Sequence, residues 1–281
     1  MFARFAGAAF RAVLVAVVLA IPSLLLTASV AGGPEIVTLL ALVAGLLTFA
    51  EYNSNYPSIV EFRDAPPLNR MRFAALTAMV LSLTLIAKHA VDPTNLTALF
   101  AGLGRMIGEM TDFPYSPVRL AVLMLPASAA PELLDAVRIA AGVTYVIALA
   151  AVVTFVFAVR VLGWPVGNGS FNVWINLPLF DPTAGGDVVH RLQRDGQINV
   201  VIGVLLPFAI PALVKLGADL VRPGVLSDPQ TLIWAMTAWA FLPASMVMRG
   251  VAMLRIAALI EEKRRRSYAD AEADAEAVQT A

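Results

Sequence analysis

The sequence has no cysteine and only two histidines, His89 and His190. The absence of cysteine excludes disulfides, thiolate metal sites, iron–sulfur clusters and cysteine nucleophiles. His89 falls at the end of an apolar run and His190 in a polar stretch, so a haem held by two histidines inside a bilayer is not expected. We therefore predict that the chain uses no cofactor and holds no metal ion.

Charge is also scarce in this chain. Charged residues make up 14% of the 281 residues, whereas hydrophobic residues make up 59%. Soluble domains usually carry about 25% charged and about 45–50% apolar residues. A protein surrounded by lipid needs no charged surface, so the composition predicts an integral membrane protein. The net charge of zero leaves no basic surplus, and no nucleic acid is expected as a partner.

Long apolar runs predict an all-α bundle with six membrane-spanning helices. A helix needs roughly 20 mostly apolar residues to cross about 30 Å of hydrocarbon, and open strands would leave backbone groups unpaired in lipid. The predicted spans cover about residues 11–30, 36–51, 73–90, 137–162, 198–220 and 231–254. Residues 1–260 thus form one membrane domain. The tail, 261–281, alternates acidic residues with alanine and is predicted to be a frayed helix or disordered.

Two stretches leave the number of spans open. Residues 1–33 have the basic start, apolar run and small-residue end of a cleaved signal peptide, although the apolar run is longer than usual. The apolar patch 118–130 is a candidate seventh span, but it is short and contains Arg119 and Pro126. A seventh span would also place the basic cluster at 263–266 outside. We therefore interpret 118–130 as an interfacial or re-entrant segment.

An amphipathic helix is predicted between the third and fourth spans. Apolar residues recur at helical spacing from Leu96 to Met110, whereas Arg105, Glu109 and Asp112 fall on other faces. Such a helix suits the outer leaflet, where it lies flat with its apolar face in lipid. The alternative is a small helix packed over the external end of the bundle.

The distribution of arginine and lysine predicts that both termini are cytoplasmic. With the N-terminus inside, fourteen of the twenty basic residues fall on the cytoplasmic side, including the cluster at 263–266. Basic residues concentrate in the cytoplasmic loops of membrane proteins. Arginine far outnumbers lysine and alanine is abundant, which we interpret as a bacterial composition. The predicted location is the bacterial inner membrane.

Two predicted cytoplasmic loops carry much of the polar and aromatic content outside the spans. They cover residues 51–72 and 163–196, and both mix aromatics, prolines, asparagines and charges of both signs. Neither has the low complexity of a flexible linker. We expect both loops to be ordered and to pack against the cytoplasmic end of the bundle. The expected partners are the lipid bilayer and, through these loops, other membrane-protein subunits.

The first loop contains a candidate binding group, namely Glu61, Arg63, Asp64 and Arg70. These charges suit an anionic headgroup or a substrate. Alternatively, they pair with one another and fix the loop. The second interpretation is favoured, because surface pairs of this kind are common and weak.

The second loop contains another candidate group, namely Asp181, Asp187, His190 and Arg191. Asp187 and His190 are three residues apart and share a face of a helix. With Asp181 they suit a hard metal ion, or His190 suits a general base. A metal site needs more ligands than this run supplies, however.

The favoured interpretation of the second group is structural. A short amphipathic helix, capped by Asp181 or Thr183, would lie on the membrane surface. Its lipid-facing residues would be Val188, Val189 and Leu192.

Four prolines fall within predicted spans, namely Pro22, Pro207, Pro211 and Pro243. Proline interrupts the backbone hydrogen bonds and kinks a helix. Broken helices line binding sites in carriers, so the kinked fifth and sixth spans are a candidate cavity. Proline is also tolerated in ordinary spans, where neighbouring groups bond the freed carbonyl. No acidic residue falls at mid-depth, so ion-coupled transport lacks its usual signature.

Three functional hypotheses follow from these patterns. The favoured one is a non-enzymatic scaffold or accessory subunit of a membrane complex, because the spans are poor in charge and no catalytic motif is found. The second is a small-solute carrier or channel that uses the kinked fifth and sixth spans. The third is an intramembrane enzyme that acts on lipid, with its site in the second loop.

Overall fold

A computed structural model describes residues 2–26, 34–165, 173–180, 185–217 and 223–279. The regular structure in these ranges is helical, which confirms the predicted all-α class. The helices are α1 (Phe2–Leu25), α2 (Pro34–Asn53), α3 (Leu68–His89), α4 (Asn95–Thr111), α5 (Pro117–Leu123), α6 (Pro131–Arg160), α7 (Val173–Asn176), α8 (Val188–Leu216) and α9 (Pro229–Gln279). A short 3-10 helix, Pro223–Ser227, precedes α9.

Six helices in these ranges are long and apolar enough to cross a membrane, namely α1, α2, α3, α6, α8 and α9. They confirm the six predicted spans. Arg4, near the start of α1, donates to Asn55, just past the end of α2 (2.7 Å), and Ser23, near the end of α1, accepts from Gln230 at the start of α9 (2.5 Å). Helix α1 therefore runs antiparallel to both α2 and α9. We call the side where α1 begins and α9 leaves the bundle the terminal face, and the other side the distal face.

The patch 118–130 does not span the membrane. Its only helix is α5, which has seven residues and follows a Ser116 cap. Val118, Ala121 and Val122 are buried, and α5 packs against α6 and α8. The segment lies within the distal end of the bundle, as a re-entrant interpretation requires.

The last two spans begin earlier or end later than the sequence predicts. α8 starts at Val188, because the Asp187 side chain caps it by accepting from the Val189 N–H. The predicted surface helix is therefore the first part of α8. Its residues do not face lipid as expected, since Val189 and Leu192 are buried in protein. α9 continues as a helix through the described part of the tail, to Gln279.

Glycines bring the two longest helices into backbone contact. A Cβ atom on Gly250 of α9 would lie 2.5 Å from the carbonyl oxygen of Gly196 in α8. A Cβ on Gly203 would lie 2.8 Å from the carbonyl oxygen of Pro243. Small residues allow this close approach between spans, where dispersion contacts replace the hydrophobic effect.

Helix α4 is both amphipathic and packed on the bundle, so it combines the two alternatives that the sequence leaves open. Its small residues pack on the bundle, since a Cβ on Gly104 would lie 2.8 Å from Ile86 of α3 and a Cβ on Gly142 of α6 would lie 2.7 Å from the Gly108 Cα. The opposite side of α4 exposes an apolar stripe: Leu96, Leu99, Leu103, Met106 and Met110. α4 is therefore an amphipathic helix that is fixed to the distal end of the bundle.

A carboxylate ties the distal elements together. Asp112, at the end of α4, lies 2.9 Å from Nε of Arg119 and 2.8 Å from Nε of Arg138. Only 6% of its side chain is exposed, so the two guanidiniums supply the counter-charge that the buried carboxylate needs. This arrangement links α4 to α5 and α6.

Helices α1 and α2 form a hairpin on one flank of the bundle. They pack along each other and α1 packs on α3. Phe5 and Phe49 meet edge to face, with ring centroids 5.2 Å apart. The outer side of α2 exposes a row of large apolar residues, as a lipid-facing helix does: Ile36, Leu39, Leu40, Leu42, Val43, Leu46 and Leu47.

Candidate functional site

The two polar loops fold together over the terminal face. The Phe62 N–H donates to the Asn176 carbonyl (2.6 Å), and the Trp164 indole N–H donates to the Pro66 carbonyl (2.9 Å). We call this unit, residues 54–67 with 161–165 and 173–180, the loop cap. Its apolar residues share a core with Leu192 of α8 and with α9. The loops are therefore ordered and packed on the bundle over their described residues.

Phe62 shows how strongly the loop cap is held. Its φ angle is 54°, in the left-handed region that bulky residues rarely occupy. Such a conformation costs about 1–3 kcal/mol and persists only where surrounding contacts impose it. The Phe62 side chain is fully buried, and its ring centroid lies 6.0 Å from that of Trp164. Each loop thus fixes the conformation of the other.

Glu61 of the first candidate group pairs with α9 rather than with its neighbours. Its carboxylate oxygens accept from Nε and Nη2 of Arg249 at 2.5 and 2.8 Å, which is a bidentate geometry. The Glu61 side chain is 7% exposed and that of Arg249 is 24% exposed. The expectation that this glutamate pairs within the loop is wrong, because the fold supplies a better partner 188 residues away.

A second guanidinium lies beside this pair. Arg72, in the first turns of α3, donates from Nη2 to the Ser245 carbonyl of α9 (2.7 Å). Its Nε has no hydrogen-bond partner among the described residues. Glu61 attracts Arg72 electrostatically while Arg249 repels it. The Glu61 carboxylate is therefore a counter-charge for both Arg249 and Arg72, at the point where α3, α9 and the loop cap meet.

Arg63 and Glu51 hold the first loop against the end of α2. Arg63 Nη1 donates to the carbonyls of Glu51 and Ser54, both at 2.8 Å, and so satisfies acceptors that the helix end leaves free. Arg63 also lies 3.3 Å from Asp64. The Glu51 carboxylate accepts from the N–H of Ile59 at 2.9 Å. These charges fix the loop, but mostly through backbone groups rather than through one another.

A cavity of about 390 Å³ opens between α1, α2 and the start of α3. Its polar lining consists of Arg11, Thr48, Tyr52, Arg63, Asn69 and Arg70. The guanidinium of Arg11 lies over the Tyr52 ring, 4.8 Å from its centroid. The structure thus separates the first candidate group: Arg63 and Arg70 line the cavity, whereas Glu61 and Asp64 do not.

The residues of the second candidate group do not converge on one point. Asp187 caps α8 and also accepts from Arg264 of α9 at 2.7 Å. The hydrogen bond from Arg264 is the main cause that lowers the pKa of Asp187 below its usual value. Arg191 instead lies over the Phe180 ring, 4.7 Å from its centroid.

His190 is exposed on the first turn of α8, and Asp181 and Thr183 lie outside the described residues. Within the part of the chain that the structure describes, no group of three or more His, Cys, Asp or Glu side chains is placed to hold a metal ion.

The four kink prolines are buried: Pro22, Pro207, Pro211 and Pro243. Pro211 has no N–H and so frees the carbonyl of Pro207, four residues earlier. The indole N–H of Trp239 donates to that carbonyl at 3.2 Å. Beside it, Gly203 and Pro243 bring the two backbones together. At this level α8 and α9 therefore contact each other directly and leave no passage between them.

Five residues of these sites belong to no sequence motif: Arg11, Tyr52, Asn69, Arg72 and Arg249. Three of them are arginines that lie within a few turns of the end of an apolar run. An arginine so placed costs free energy unless it is paired or reaches the membrane interface, so its position in the sequence indicates that it has a partner. The sequence does not identify that partner, because Arg249 and Arg72 find theirs in distant parts of the chain.

Compared with known protein families, curated proteins and solved structures, the chain has no significant match.

Proposed function

We propose that this protein is a non-enzymatic scaffold or accessory subunit of a complex in the bacterial inner membrane, with both termini in the cytoplasm. The observation that supports this most is the projection of α9 beyond the bundle. The loop cap adds support, because its described aromatic residues pack against α9 just before that projection.

The length of α9 sets the size of the projection. The helix has 51 residues, which corresponds to about 77 Å at 1.5 Å per residue. A bilayer with its headgroups is only about 40–45 Å thick. From residue 261 to 272 nearly every side chain is exposed, and the contact of Arg264 with Asp187 fixes the base of this segment. A helix that packs on nothing is only marginally stable in water, so a bound partner would explain why this segment is helical.

The carrier and enzyme hypotheses receive less support. A carrier site at the kinked spans would require a path beside Pro207 and Pro243, where the α8 and α9 backbones are in contact. An enzyme site in the second loop would require Asp187 and His190 to face a common pocket. Asp187 instead caps α8 and pairs with Arg264.

The proposed orientation predicts the result of reporter fusions in a bacterial host. A fluorescent protein fused after Pro67 or Arg266 should be fluorescent, because these positions lie on the proposed cytoplasmic side. Alkaline phosphatase fused after Asp112 or Asp228 should be active, because it matures only outside the cytoplasm. Fluorescence from a fusion after Asp112 would reverse the orientation.

The proposed role predicts that removal of the tail also removes a bound partner protein. The N-terminally tagged full chain, purified in mild detergent, should carry another membrane protein in fixed stoichiometry. Removal of residues 263–281 should lower recovery of that protein by about tenfold or more, since it removes the projecting surface. The matched control is Arg160→Gln, which changes an exposed arginine at the end of α6, outside the projecting segment, and should retain the partner.

Two measurements decide the outcome of this experiment. Mass spectrometry of the purified material counts the partner, and size-exclusion chromatography checks that each variant remains folded and monodisperse. A full chain recovered as a lone monomer would contradict the scaffold role. A partner that stays with the shortened chain would contradict the assignment of the tail as its binding surface.

A further inference from the structure

The cavity between α1, α2 and α3 carries an unbalanced positive charge. Three guanidiniums line it, those of Arg11, Arg63 and Arg70, and its lining contains no carboxylate. Asp64 pairs with Arg63 and is near enough to Tyr52 to act on it electrostatically, but it is not part of the lining and 55% of its side chain is exposed. An anion inside the cavity would therefore meet cations without displacing a protein carboxylate.

The three arginines differ in their remaining hydrogen-bond donors. Arg63 is committed to the carbonyls at the end of α2. Arg11 donates to the Gly7 carbonyl through Nη1 (2.8 Å), which leaves its other nitrogens for a ligand. Arg70 is exposed and has no hydrogen bond or ion pair with the described residues. Arg11 and Arg70 are thus the donors that the cavity offers.

The other half of the cavity is apolar and faces the membrane. Phe10, Leu14 and Val15 of α1 form one wall, and Phe73 of α3 forms another. The Phe10 side chain is 65% exposed, so this wall continues onto the lipid-facing surface of α1. The charged half lies where α2 ends and α3 begins, so in a bilayer crossed by these helices it falls at the headgroup level of the terminal-face leaflet.

The geometry points to a binding site for one anionic phospholipid of that leaflet. The headgroup phosphate lies between Arg11 and Arg70, because a guanidinium binds phosphate through two parallel hydrogen bonds. Tyr52 and Asn69 also line the cavity, but the Asn69 amide nitrogen already donates to the Glu61 carbonyl (2.7 Å), so the two arginines carry the headgroup contact. One acyl chain follows Phe10 and Leu14 into the bilayer.

The apolar half distinguishes a lipid from a soluble phosphate ester. A soluble ester would occupy the arginines and leave the apolar wall uncovered, without the gain from burying it. A volume of about 390 Å³ is at the lower end of ligand pockets, and it suits a headgroup with the first part of one chain.

The test measures lipid binding to the delipidated full chain by native mass spectrometry. Phosphatidylglycerol and phosphatidylcholine are the two lipid probes, and glycerol phosphate is the soluble competitor. We expect phosphatidylglycerol to bind in preference to phosphatidylcholine. Arg70→Gln should weaken phosphatidylglycerol binding about tenfold, and Arg11→Gln with Arg70→Gln about a hundredfold. The matched control is Arg160→Gln, an exposed arginine at the terminal-face end of α6, which should leave binding unchanged.

A further variant tests the apolar wall. Leu14→Trp fills the space beside the apolar wall of α1 but keeps every guanidinium, and it should also weaken phosphatidylglycerol binding about tenfold.

Equal binding of phosphatidylglycerol and phosphatidylcholine, or unchanged binding in Arg70→Gln, would overturn the site. Displacement of phosphatidylglycerol by glycerol phosphate at comparable concentration would show a soluble ligand and overturn the assignment to lipid. Loss of the tail-bound partner leaves this assay unaffected, so the two proposals fail separately.

Discussion

Replacement of Glu61 by alanine is expected to lower the free energy of unfolding by about 3–5 kcal/mol. The buried Glu61 carboxylate holds Arg249 in a bidentate pair and attracts Arg72. Its removal breaks the bidentate pair and takes a counter-charge from both guanidiniums, so their desolvation is less well compensated; Arg249 keeps only the smaller attraction of Asp195. The measurement is denaturant unfolding in detergent, followed by the fluorescence of the tryptophans.

The matched control for Glu61 is its neighbour Asp64. The Asp64 side chain is 55% exposed and contacts only the edge of Arg63. Asp64→Ala should therefore change the free energy of unfolding by less than about 1 kcal/mol. If the two alanine variants have equal stability, the Glu61 pair is not the junction that the structure describes. Adding Arg249→Met to Glu61→Ala should restore part of the loss, because it removes one of the unpaired cations.

Substitution of Gly250 by alanine is expected to destabilise the protein by about 1–3 kcal/mol. The added Cβ would lie 2.5 Å from the Gly196 carbonyl oxygen and 2.7 Å from Cγ2 of Val200. One of these neighbours is backbone and cannot rotate away, so α8 and α9 must separate. Gly250→Leu should be worse, because the larger side chain wedges the helices further apart.

Replacement of glycine by alanine should have the opposite effect on stability at Gly102. This residue is exposed in the middle of α4, and a Cβ there would meet nothing within 4 Å. Alanine is the better helix former, so Gly102→Ala should be neutral or stabilising by up to about 1 kcal/mol. Thermal unfolding of both variants in one detergent makes the comparison. A Gly250→Ala variant as stable as Gly102→Ala would rule out close contact of α8 and α9.

The spans could be predicted from the sequence because their signal is local. Twenty apolar residues in a row must be solvated by lipid wherever they occur, and six helices meet that condition. The start of α8 was harder to place, because polar residues fill its first turns. Leu192 lies there among polar neighbours, and only the loop cap packed over it shows that it belongs to the core.

The candidate sites were harder to predict because their partners are distant in the chain. The polar composition of the loops located the loop cap. The pairing of Glu61 with Arg249 depends on how α9 passes the first loop, and no pattern near residue 61 contains that information. Arg63 and Arg70 have the same chemistry in the sequence. The fold separates them, since Arg63 donates to the carbonyls at the end of α2 and Arg70 is exposed without a hydrogen bond to the described residues.

The continuity of α9 gives the loop cap a mechanical connection to the tail. Two contacts meet on one turn of α9: Arg249 pairs with Glu61, and the next residue, Gly250, packs on Gly196. The projecting segment starts about 18 Å further along the same rod, at 1.5 Å per residue. A force applied to the tail would therefore pass along α9 to its contacts with the loop cap, α3 and α8.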